Sequence, residues 1–298
     1  MELSGTTFCI TGFSGYVGRH LVKDLTLRGL RPFLIGRPDT DLPDMPGVAM
    51  VRRWSTPADL AAQLCTLDNP VILNLAGHFV KAHTPGDLGE IVDGNLTYPA
   101  QIFEAVALSG TERLVNIGTS WEYSDRGVPE PLNLYAAIKK SNAMVLDWYA
   151  AQHPIRAINL KLNDTYGGDD RRPKLMPLLK QHALTGEPVQ LGYSSQLLNL
   201  TYIDDVIRAI LWAGQLTADQ QTGTVEEAFL FGGETRSIGE IVGLIQNATG
   251  KPLSVRFRGT APEDHTLRGI WDGAPLLRDW RAETDLRTGL KTYFESEV

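Results

Sequence analysis

Residues 6–18 read TTFCITGFSGYVG, a short apolar run followed by glycines at 12, 15 and 18. An amphipathic stretch continues to Arg28, so strand, turn and helix follow one another as in a dinucleotide-binding unit. Gly12 permits the tight turn, Gly15 lets the backbone approach a pyrophosphate, and Gly18 allows close packing of helix on strand. The helix N-terminus then meets the negative charge. The residues assigned to a dinucleotide on this ground are Gly12, Phe13, Ser14, Gly15, Tyr16, Val17 and Gly18.

Strands and helices continue to alternate after this unit. Apolar runs predict strands at 32–36, 71–77, 113–120 and 156–162, and helical patterns cover 87–108 and 134–152. This alternation is typical of a parallel sheet with helices on both faces, and the continuous apolar strands agree with such burial. We predict an α/β fold with a Rossmann-type, doubly wound parallel sheet.

The alternation weakens after about residue 163, where the loops become longer and the elements irregular. The expected organisation is a dinucleotide-binding Rossmann domain at 1–163, to which residues 199–214 return. Residues 164–198 and 215–298 are expected to form a smaller, discontinuous C-terminal region that binds the substrate.

The composition of the 298 residues bounds the class of protein. The chain is 43% hydrophobic with a net charge of −7, which argues against a nucleic-acid or anionic-membrane partner. The sequence has no apolar run long enough to span a membrane and no recognisable cleavable signal. Cys9 and Cys65 have no metal-site or disulfide spacing, and we expect both to be buried free thiols. These features predict a cytoplasmic protein without a metal.

The end of the second predicted strand indicates which dinucleotide binds. An NAD-specific fold usually has Asp or Glu about 20 residues after the glycine loop, to accept from the ribose 2′-hydroxyl. Here the segment reads Ile35-Gly36-Arg37-Pro38, without a carboxylate. The guanidinium of Arg37 can pair with a 2′-phosphate, so NADP(H) is favoured. In the alternative interpretation Arg37 is a solvated loop charge and Asp39 or Asp41 binds the ribose.

A tyrosine and a lysine are spaced four apart in the predicted helix at 134–152. Tyr135 and Lys139 would therefore lie one turn apart on the same face. Such a pair occurs often by chance, and by itself it fits a solvated helix as well as a proton donor beside a cation. Only the surrounding motifs separate these interpretations.

Together the motifs resemble the extended short-chain dehydrogenase/reductase family, over nearly the whole chain. The series is Thr11 to Gly18, Asn74-Leu75-Ala76-Gly77, Asn95, Gly118-Thr119-Ser120, Tyr135-x-x-x-Lys139, Leu160 to Gly167 and Tyr202-Ile203-Asp204-Asp205-Val206. The resemblance implies a catalytic set of Thr119, Tyr135 and Lys139, in which the lysine lowers the pKa of the tyrosine and binds the nicotinamide ribose. It also places Leu75, Ala76, Gly77, Asn95, Leu162 and Asn163 against the cofactor, together with Tyr135 and Lys139.

Departures from the family pattern narrow the reaction. Family dehydratases have an Asp-Glu pair directly after the catalytic Thr, whereas Ser120 and Trp121 stand here and Glu122 comes one place late. Dehydration is therefore disfavoured unless a shift of the loop brings Glu122 into place. The Arg-Asp that usually precedes the Tyr-Ile-Asp-Asp segment is replaced by Leu198-Asn199, which removes a diphosphate anchor. Arg171, Arg172, Lys174 and Arg268 are the candidate replacements, the alternative being solvated surface charges.

Within the family, segments such as NLAGHFVKAH and NIGTSWEY are most similar to CDP-abequose and CDP-paratose synthases, which are 4-ketoreductases of CDP-activated deoxysugars. The resemblance implies NADPH-dependent reduction of a nucleotide-linked 4-keto-6-deoxyhexose, carried by CDP or dTDP. The implied substrate residues are His78, Phe79, Ser120, Trp121, Asp164, Lys174 and Arg268.

Three other functions remain open: an epimerase that retains its nicotinamide, a reductase of a non-sugar ketone, and a cofactor-sensing binding protein. Relatives often dimerise through the helix that carries the tyrosine. Here Ala136, Ala137, Met144 and Trp148 are expected to supply the apolar face of a homodimer.

Overall fold

A computed structural model describes residues 3, 5–37, 52–250, 252–261 and 269–296. Asp39, Asp41 and Arg268, all named above, lie outside this range. The strands are β1 Thr7–Thr11, β2 Phe33–Gly36, β3 Arg52–Arg53, β4 Pro70–Asn74, β5 Arg113–Thr119, β6 Arg156–Leu162, β7 Asp164–Tyr166, β8 Val189–Tyr193, β9 Leu197–Tyr202, β10 Thr224–Leu230, β11 Thr235–Ser237 and β12 Val255–Gly259. The α-helices are α1 Tyr16–Leu27, α2 Pro57–Leu64, α3 Leu88–Val92, α4 Tyr98–Ser109, α5 Leu134–Gln152, α6 Leu175–Thr185, α7 Ile203–Leu216, α8 Ile238–Thr249 and α9 Leu286–Glu295.

Seven of these strands form a central sheet in the spatial order β10-β6-β5-β4-β1-β2-β3. Every pairing in it is parallel. The order reverses between β1 and β4, and this switch point is where ligands bind in doubly wound sheets. The predicted Rossmann-type fold is confirmed.

Two apolar clusters cover the faces of this sheet. One cluster packs α1 and α7 against the strands, and the other packs α2, α4 and α5 against the opposite face. Core side chains such as Ile10, Leu73 and Val115 have no exposed surface. Burial of apolar surface on both faces explains why these strands are continuous apolar runs.

The predicted division of the chain is wrong at β10. This strand pairs along its length with β6 and forms the edge of the central sheet, although residues 215–298 were expected in the substrate-binding region. The first four residues of this strand, TVEE in the sequence TVEEAFL, are only partly buried. The segment therefore lacks the continuous apolar run from which the other strands of this sheet were predicted. The remaining boundaries stay a prediction.

The second region has its own core. Three strands pair in the order β11-β9-β7, and β12 pairs with β8. Buried side chains of α6, α8 and α9, including Leu179, Ile241 and Leu290, pack against them. Because β7 follows β6 after a single residue, the β7–α6 connection lies beside the carboxyl end of the central sheet.

The two cysteines, both predicted to be buried, differ in their exposure. Cys9 is buried as predicted, but Cys65 is exposed, because it lies just after the last residue of α2 rather than in the core. Across the described residues, none of the helices combines the length and the apolar character needed to cross a membrane.

Candidate active site

The glycine loop lies at the carboxyl end of β1, against the segment that follows β4. Gly12 has φ +64°, and a Cβ on it would lie 2.6 Å from the carbonyl carbon of Leu75. A Cβ on Gly18 would lie 2.2 Å from the carbonyl oxygen of Gly12. Helix α1 begins directly after Gly15, its N-cap residue, so its first backbone N–H groups are available to an anion.

A cavity of about 540 Å³ opens beside this loop. It brings together eight of the predicted cofactor residues, namely Gly12, Phe13, Ser14, Gly15, Arg37, Leu75, Ala76 and Gly77. His78, which was expected to bind the sugar, also lines this smaller cavity rather than the larger one described below. Its Nε2 lies 3.4 Å from a carboxylate oxygen of Glu90.

Arg37 has partners in this cavity that the sequence did not indicate. Its Nη1 lies 2.6 Å from a carboxylate oxygen of Asp93, and its guanidinium lies 5.6 Å from the centre of the Tyr98 ring. Asp93 and Tyr98 also line the cavity. The end of β2 therefore presents a cation and a carboxylate together.

Other residues assigned to the cofactor support the loop from inside. The buried Tyr16 donates its hydroxyl to the carbonyl oxygen of Gly167 (2.8 Å), and Val17 packs against the core. The side-chain amide of the buried Asn95 donates to the carbonyl oxygens of His78 and Ile91, both at 2.8 Å. Asn95 therefore holds the segment after β4 against the turn of π-helix at Asp93–Thr97.

A chain of buried polar side chains connects the glycine loop to α5. Thr11 donates to Asn74 (2.6 Å), Asn74 donates to Asn116 (2.8 Å), and Asn116 donates to Asn142 (2.8 Å) and Asn159 (3.1 Å). These residues lie side by side on four strands and on the inner face of α5. Buried, hydrogen-bonded networks of this kind fix relative positions, so the loop and the helix are held together.

Lys139 lies on the buried face of α5 and is only 4% exposed. Its Nζ donates to the carbonyl oxygens of Ala76 and Ile117, both at 3.0 Å. Burial lowers the pKa of Lys139 to about 8, while the Glu122 carboxylate raises this pKa and the Lys161 cation lowers it. The ammonium is thus fixed between the end of β5 and a residue that lines the smaller cavity.

Tyr135 lies one turn before Lys139, near the start of α5. Asn133 caps this helix by accepting from the backbone N–H of Ala136 (3.0 Å). The ring of Tyr135 lies edge-on to Phe79, with 5.2 Å between centroids. Burial and then the Glu122 carboxylate raise the pKa of Tyr135, and the cation that lowers it is Arg172 rather than Lys139. The phenol therefore holds its proton at neutral pH.

Thr119 is the last residue of β5 and lies in register with Leu162 at the end of β6. It is 8% exposed, and its Oγ1 accepts from the backbone N–H of Trp121 (3.3 Å). A hydroxyl carries one donor and two acceptor positions, so its proton remains available to an oxygen of a ligand.

A second cavity, of about 1220 Å³, lies between the end of the central sheet and the second region. Among the predicted residues Phe79, Ser120, Trp121, Asn163, Asp164 and Lys174 line it. Phe79, which contacts Tyr135, also lies 5.7 Å from the Trp121 ring. None of the predicted catalytic residues, Thr119, Tyr135 and Lys139, lines either cavity itself. Lys139 contacts Ala76 of the smaller cavity and Tyr135 contacts Phe79 of the larger one, so the pair lies between the two.

The candidate anion-binding cations differ in their surroundings. The Nζ of Lys174 lies 4.7 Å from the Phe79 ring centre and 3.8 Å from Asp164, and burial lowers the pKa of Lys174. Arg172 binds Asp170 through two contacts of 2.7 Å and covers the ring of Tyr16 at 3.9 Å. Its charge is thereby neutralised locally. Arg171 is exposed and lines the larger cavity.

The carboxylate of Glu122 is held inside the protein by Lys161 and by the backbone N–H of Thr119, which corrects the suggestion that it reaches the substrate. The turn of 3-10 helix at Ser120–Glu122 directs its side chain inward, where its carboxylate has no exposed surface and pairs with Lys161. Lys161 was not predicted as part of the site, because a lysine inside a strand usually marks a solvated face. Trp271, which also lines the larger cavity, was missed because it follows an irregular stretch without a motif.

Comparison with protein-family models matches residues 8–226 to the NAD dependent epimerase/dehydratase family. Among curated proteins, the chain is 30% identical to a CDP-abequose synthase of Yersinia pseudotuberculosis, over 91% of this chain and 96% of that protein. It is 22% identical to a dTDP-4-dehydro-6-deoxy-D-allose reductase of a Streptomyces species, over 87% of this chain and 86% of that protein. Among solved structures, MoeE5 in complex with UDP-glucose and NAD superimposes with a TM-score of 0.75 at 23% identity, over 97% of both chains.

Proposed function

This chain belongs to the NAD dependent epimerase/dehydratase family, and on that premise we propose that it reduces a nucleotide-linked 4-keto-6-deoxyhexose with NADPH. The observation that carries the proposal is the fixed arrangement of Tyr135 and Lys139 between the two cavities. A protonated phenol next to a pocket for an organic substrate is suited to protonating an alkoxide. The names of the similar curated proteins, a CDP-abequose synthase and a dTDP-sugar reductase, agree with this choice of substrate.

The residues present fit a dinucleotide. Gly12 and Gly77 both line the smaller cavity, and close neighbours leave little room for a Cβ on either: that on Gly77 would lie 3.1 Å from both Asn95 Oδ1 and Lys139 Nζ. When bound, the nicotinamide supplies the hydride that reduces the carbonyl carbon. Tyr135 donates the proton that the developing alkoxide takes up, and Thr119 donates a hydrogen bond to the same oxygen. Lys139 places a positive charge beside the pair and stabilises the developing negative charge.

The larger cavity fits a substrate with a diphosphate. Its volume of about 1220 Å³ exceeds that of most small-molecule sites. Lys174 and Arg171 supply positive charge to its wall, and Phe79 and Trp121 supply apolar surface near Tyr135. We assign the sugar to the aromatic end and the diphosphate to Lys174 and Arg171.

The preference for NADPH depends on Arg37, and we expect Arg37→Gln to weaken NADPH binding about tenfold through loss of a charge-assisted contact to the 2′-phosphate. NADH affinity should hardly change. Fluorescence titration of both cofactors measures this, with Arg28→Gln as the matched control, because Arg28 has a similar ion pair with Asp24 on α1. Equal losses for both cofactors would show that Arg37 does not read the phosphate.

The rate of reduction should fall as the pH rises above about 8. Burial lowers the pKa of Lys139 to about 8, so its ammonium is present below this pH and lost above it. Burial raises the pKa of Tyr135, so the phenol remains protonated over the same pH range and does not cause this fall in rate. Initial rates between pH 6.5 and 9.5 test the expectation, and a rate that stays constant to pH 9.5 would contradict it.

The proposed function is tested by NADPH oxidation with CDP-, dTDP- and GDP-4-keto-6-deoxyhexoses. We expect turnover with the CDP- or dTDP-linked substrate and identification of the 4-hydroxy product. Failure with all three, with NADPH still bound, would overturn the choice of substrate and leave a non-sugar ketone or a cofactor-sensing role as the next hypotheses.

One observation favours a second candidate, a nucleotide-sugar epimerase that retains NAD. The carboxylate of Asp93 lies 2.6 Å from Arg37, where it could accept a hydrogen bond from an unphosphorylated ribose. Cofactor that stays bound through gel filtration, with isomerisation of a nucleotide sugar and no added NADPH, would establish this alternative.

We also propose a homodimer in the cytoplasm. Met144 and Trp148, one turn apart on α5, are 66% and 58% exposed, and neighbouring exposed apolar side chains mark an interaction surface. Ala136 cannot contribute to this face because it is fully buried. Light scattering should give twice the chain mass of 32.8 kDa, and a mass of one chain would exclude the dimer.

A further inference from the structure

A buried ion pair lies beneath the end of β5, outside both cavities. The side chains of Glu122 and Lys161 contact each other and have no exposed surface. Removing two charges from water is costly, so such a pair is seldom more stabilising than apolar residues of similar size. Because the pair lies one turn from Thr119, we infer a role in positioning that residue.

The two oxygens of the Glu122 carboxylate have different partners. One oxygen pairs with the Nζ of Lys161, and the other accepts from the backbone N–H of Thr119 at 2.9 Å. Between these residues, a Cβ on Gly118 would lie 2.7 Å from both the Glu122 Oε1 and the Lys161 Cδ. The carboxylate thus lies directly against the backbone that carries the Thr119 hydroxyl.

The same turn is connected to the start of α5. The carbonyl oxygen of Trp121 accepts from the backbone N–H of Leu132 (2.9 Å), and that of Glu122 accepts from Glu130 (3.2 Å). Leu132 immediately precedes Asn133, the residue that caps the helix carrying Tyr135. A shift of the turn would consequently move both the hydroxyl and the phenol.

Lys161 has a second carboxylate partner besides Glu122. Its Nζ lies 3.2 Å from a carboxylate oxygen of Glu227 on β10. Tyr123 donates its hydroxyl to the other oxygen of Glu227 at 2.5 Å, and Lys140 lies 3.7 Å from Glu227. The cluster therefore contains two acidic and two basic side chains, joined in one network of contacts.

We propose that Glu122 is a positioning residue. Lys161 holds one oxygen of its carboxylate, and the other oxygen fixes the backbone of Thr119 and the turn that leads to Tyr135. The inference rests on the proposed function for its effect on turnover, but the contact itself can be measured without a sugar substrate. Neither residue lines either of the two cavities.

The test compares Glu122→Gln with the double variant Glu122→Gln/Lys161→Met. In the single variant one amide oxygen faces two donors, Lys161 and the Thr119 N–H, and the cation takes it, so the amide NH₂ is turned toward Thr119. In the double variant the cation is absent and the amide oxygen returns to Thr119. Glu112→Gln is the matched control, because Glu112 pairs with Arg156 (3.0 Å) at the opposite end of the same two strands.

The first measurement is hydrogen exchange of the Thr119 amide, which needs no sugar substrate. We expect about tenfold faster exchange in Glu122→Gln, and rates close to those of the unsubstituted chain in the double variant and in Glu112→Gln. Unchanged exchange in Glu122→Gln, or no recovery in the double variant, would overturn the inference even if none of the keto sugars is a substrate.

The second measurement is turnover with the keto sugar that the unsubstituted chain reduces. We expect kcat to fall about 30-fold in Glu122→Gln and to recover in the double variant, with the affinity for NADPH constant throughout. A purely structural role predicts that kcat follows the melting temperature in all variants, without recovery. A chain that reduces no keto sugar would fail the proposed function only, since the exchange measurement still decides the inference.

Discussion

Tyr135→Phe should lower the turnover number for keto-sugar reduction about 1000-fold, within the range that a general acid contributes. The phenylalanine keeps the edge-on contact with Phe79 at 5.2 Å but has no proton to donate to the alkoxide. NADPH affinity and melting temperature should stay close to those of the unsubstituted chain. Tyr135 does not line the cavity beside the glycine loop, and it belongs to neither of the two apolar clusters that cover the central sheet.

Stopped-flow or steady-state NADPH oxidation measures this effect. Tyr149→Phe is the matched control: Tyr149 lies on the same helix, and its hydroxyl donates to Glu104 at 2.7 Å. It should retain full activity. A Tyr135→Phe variant that reduces the substrate at a normal rate would remove the phenol from the mechanism.

Lys139→Met should lower kcat/KM about 100- to 1000-fold, as loss of one preorganised electrostatic contact does in other enzymes. Unlike the tyrosine change, it should also weaken NADPH binding. The Nζ of Lys139 holds the carbonyl oxygen of Ala76, a residue of the smaller cavity, and that of Ile117 at the end of β5. Its removal leaves both carbonyls without this donor.

Titration with NADPH and initial rates separate the two effects. Lys23→Met serves as the control, since Lys23 is exposed on α1. If Lys139→Met lost activity only in proportion to a loss of folded protein, as judged by circular dichroism, the ammonium would have a structural role alone.

The features that could be predicted from the sequence are those fixed by local geometry. Gly12 and Gly18 stand where no Cβ fits, so their spacing reports the turn directly. Helix α5 spans Leu134–Gln152, the bounds predicted from the sequence, because Asn133 caps its start and His153-Pro154 ends it. Phe79 and Lys174 line the larger cavity, and their role in binding a substrate stays a prediction.

The features that could not be predicted depend on contacts between distant residues. Asp93 and Arg37 form an ion pair although 56 positions separate them in the sequence, and no pattern near either residue predicts this contact. Glu122 turns inward because the chain forms a 3-10 turn after Thr119, which a count of positions after the catalytic strand does not reveal. Strand β10 escapes notice because its two glutamates interrupt the apolar run.

In the proposed reaction, a hydride from NADPH reaches a carbonyl carbon of a nucleotide-linked sugar. The most direct measurement uses NADPH deuterated at the transferable position together with the CDP-linked 4-keto-6-deoxyhexose, followed by NMR of the product. We expect one deuterium on C4 of the sugar for each NADPH oxidised. Product that forms without deuterium at C4, or without consumption of NADPH, would contradict the proposed reaction.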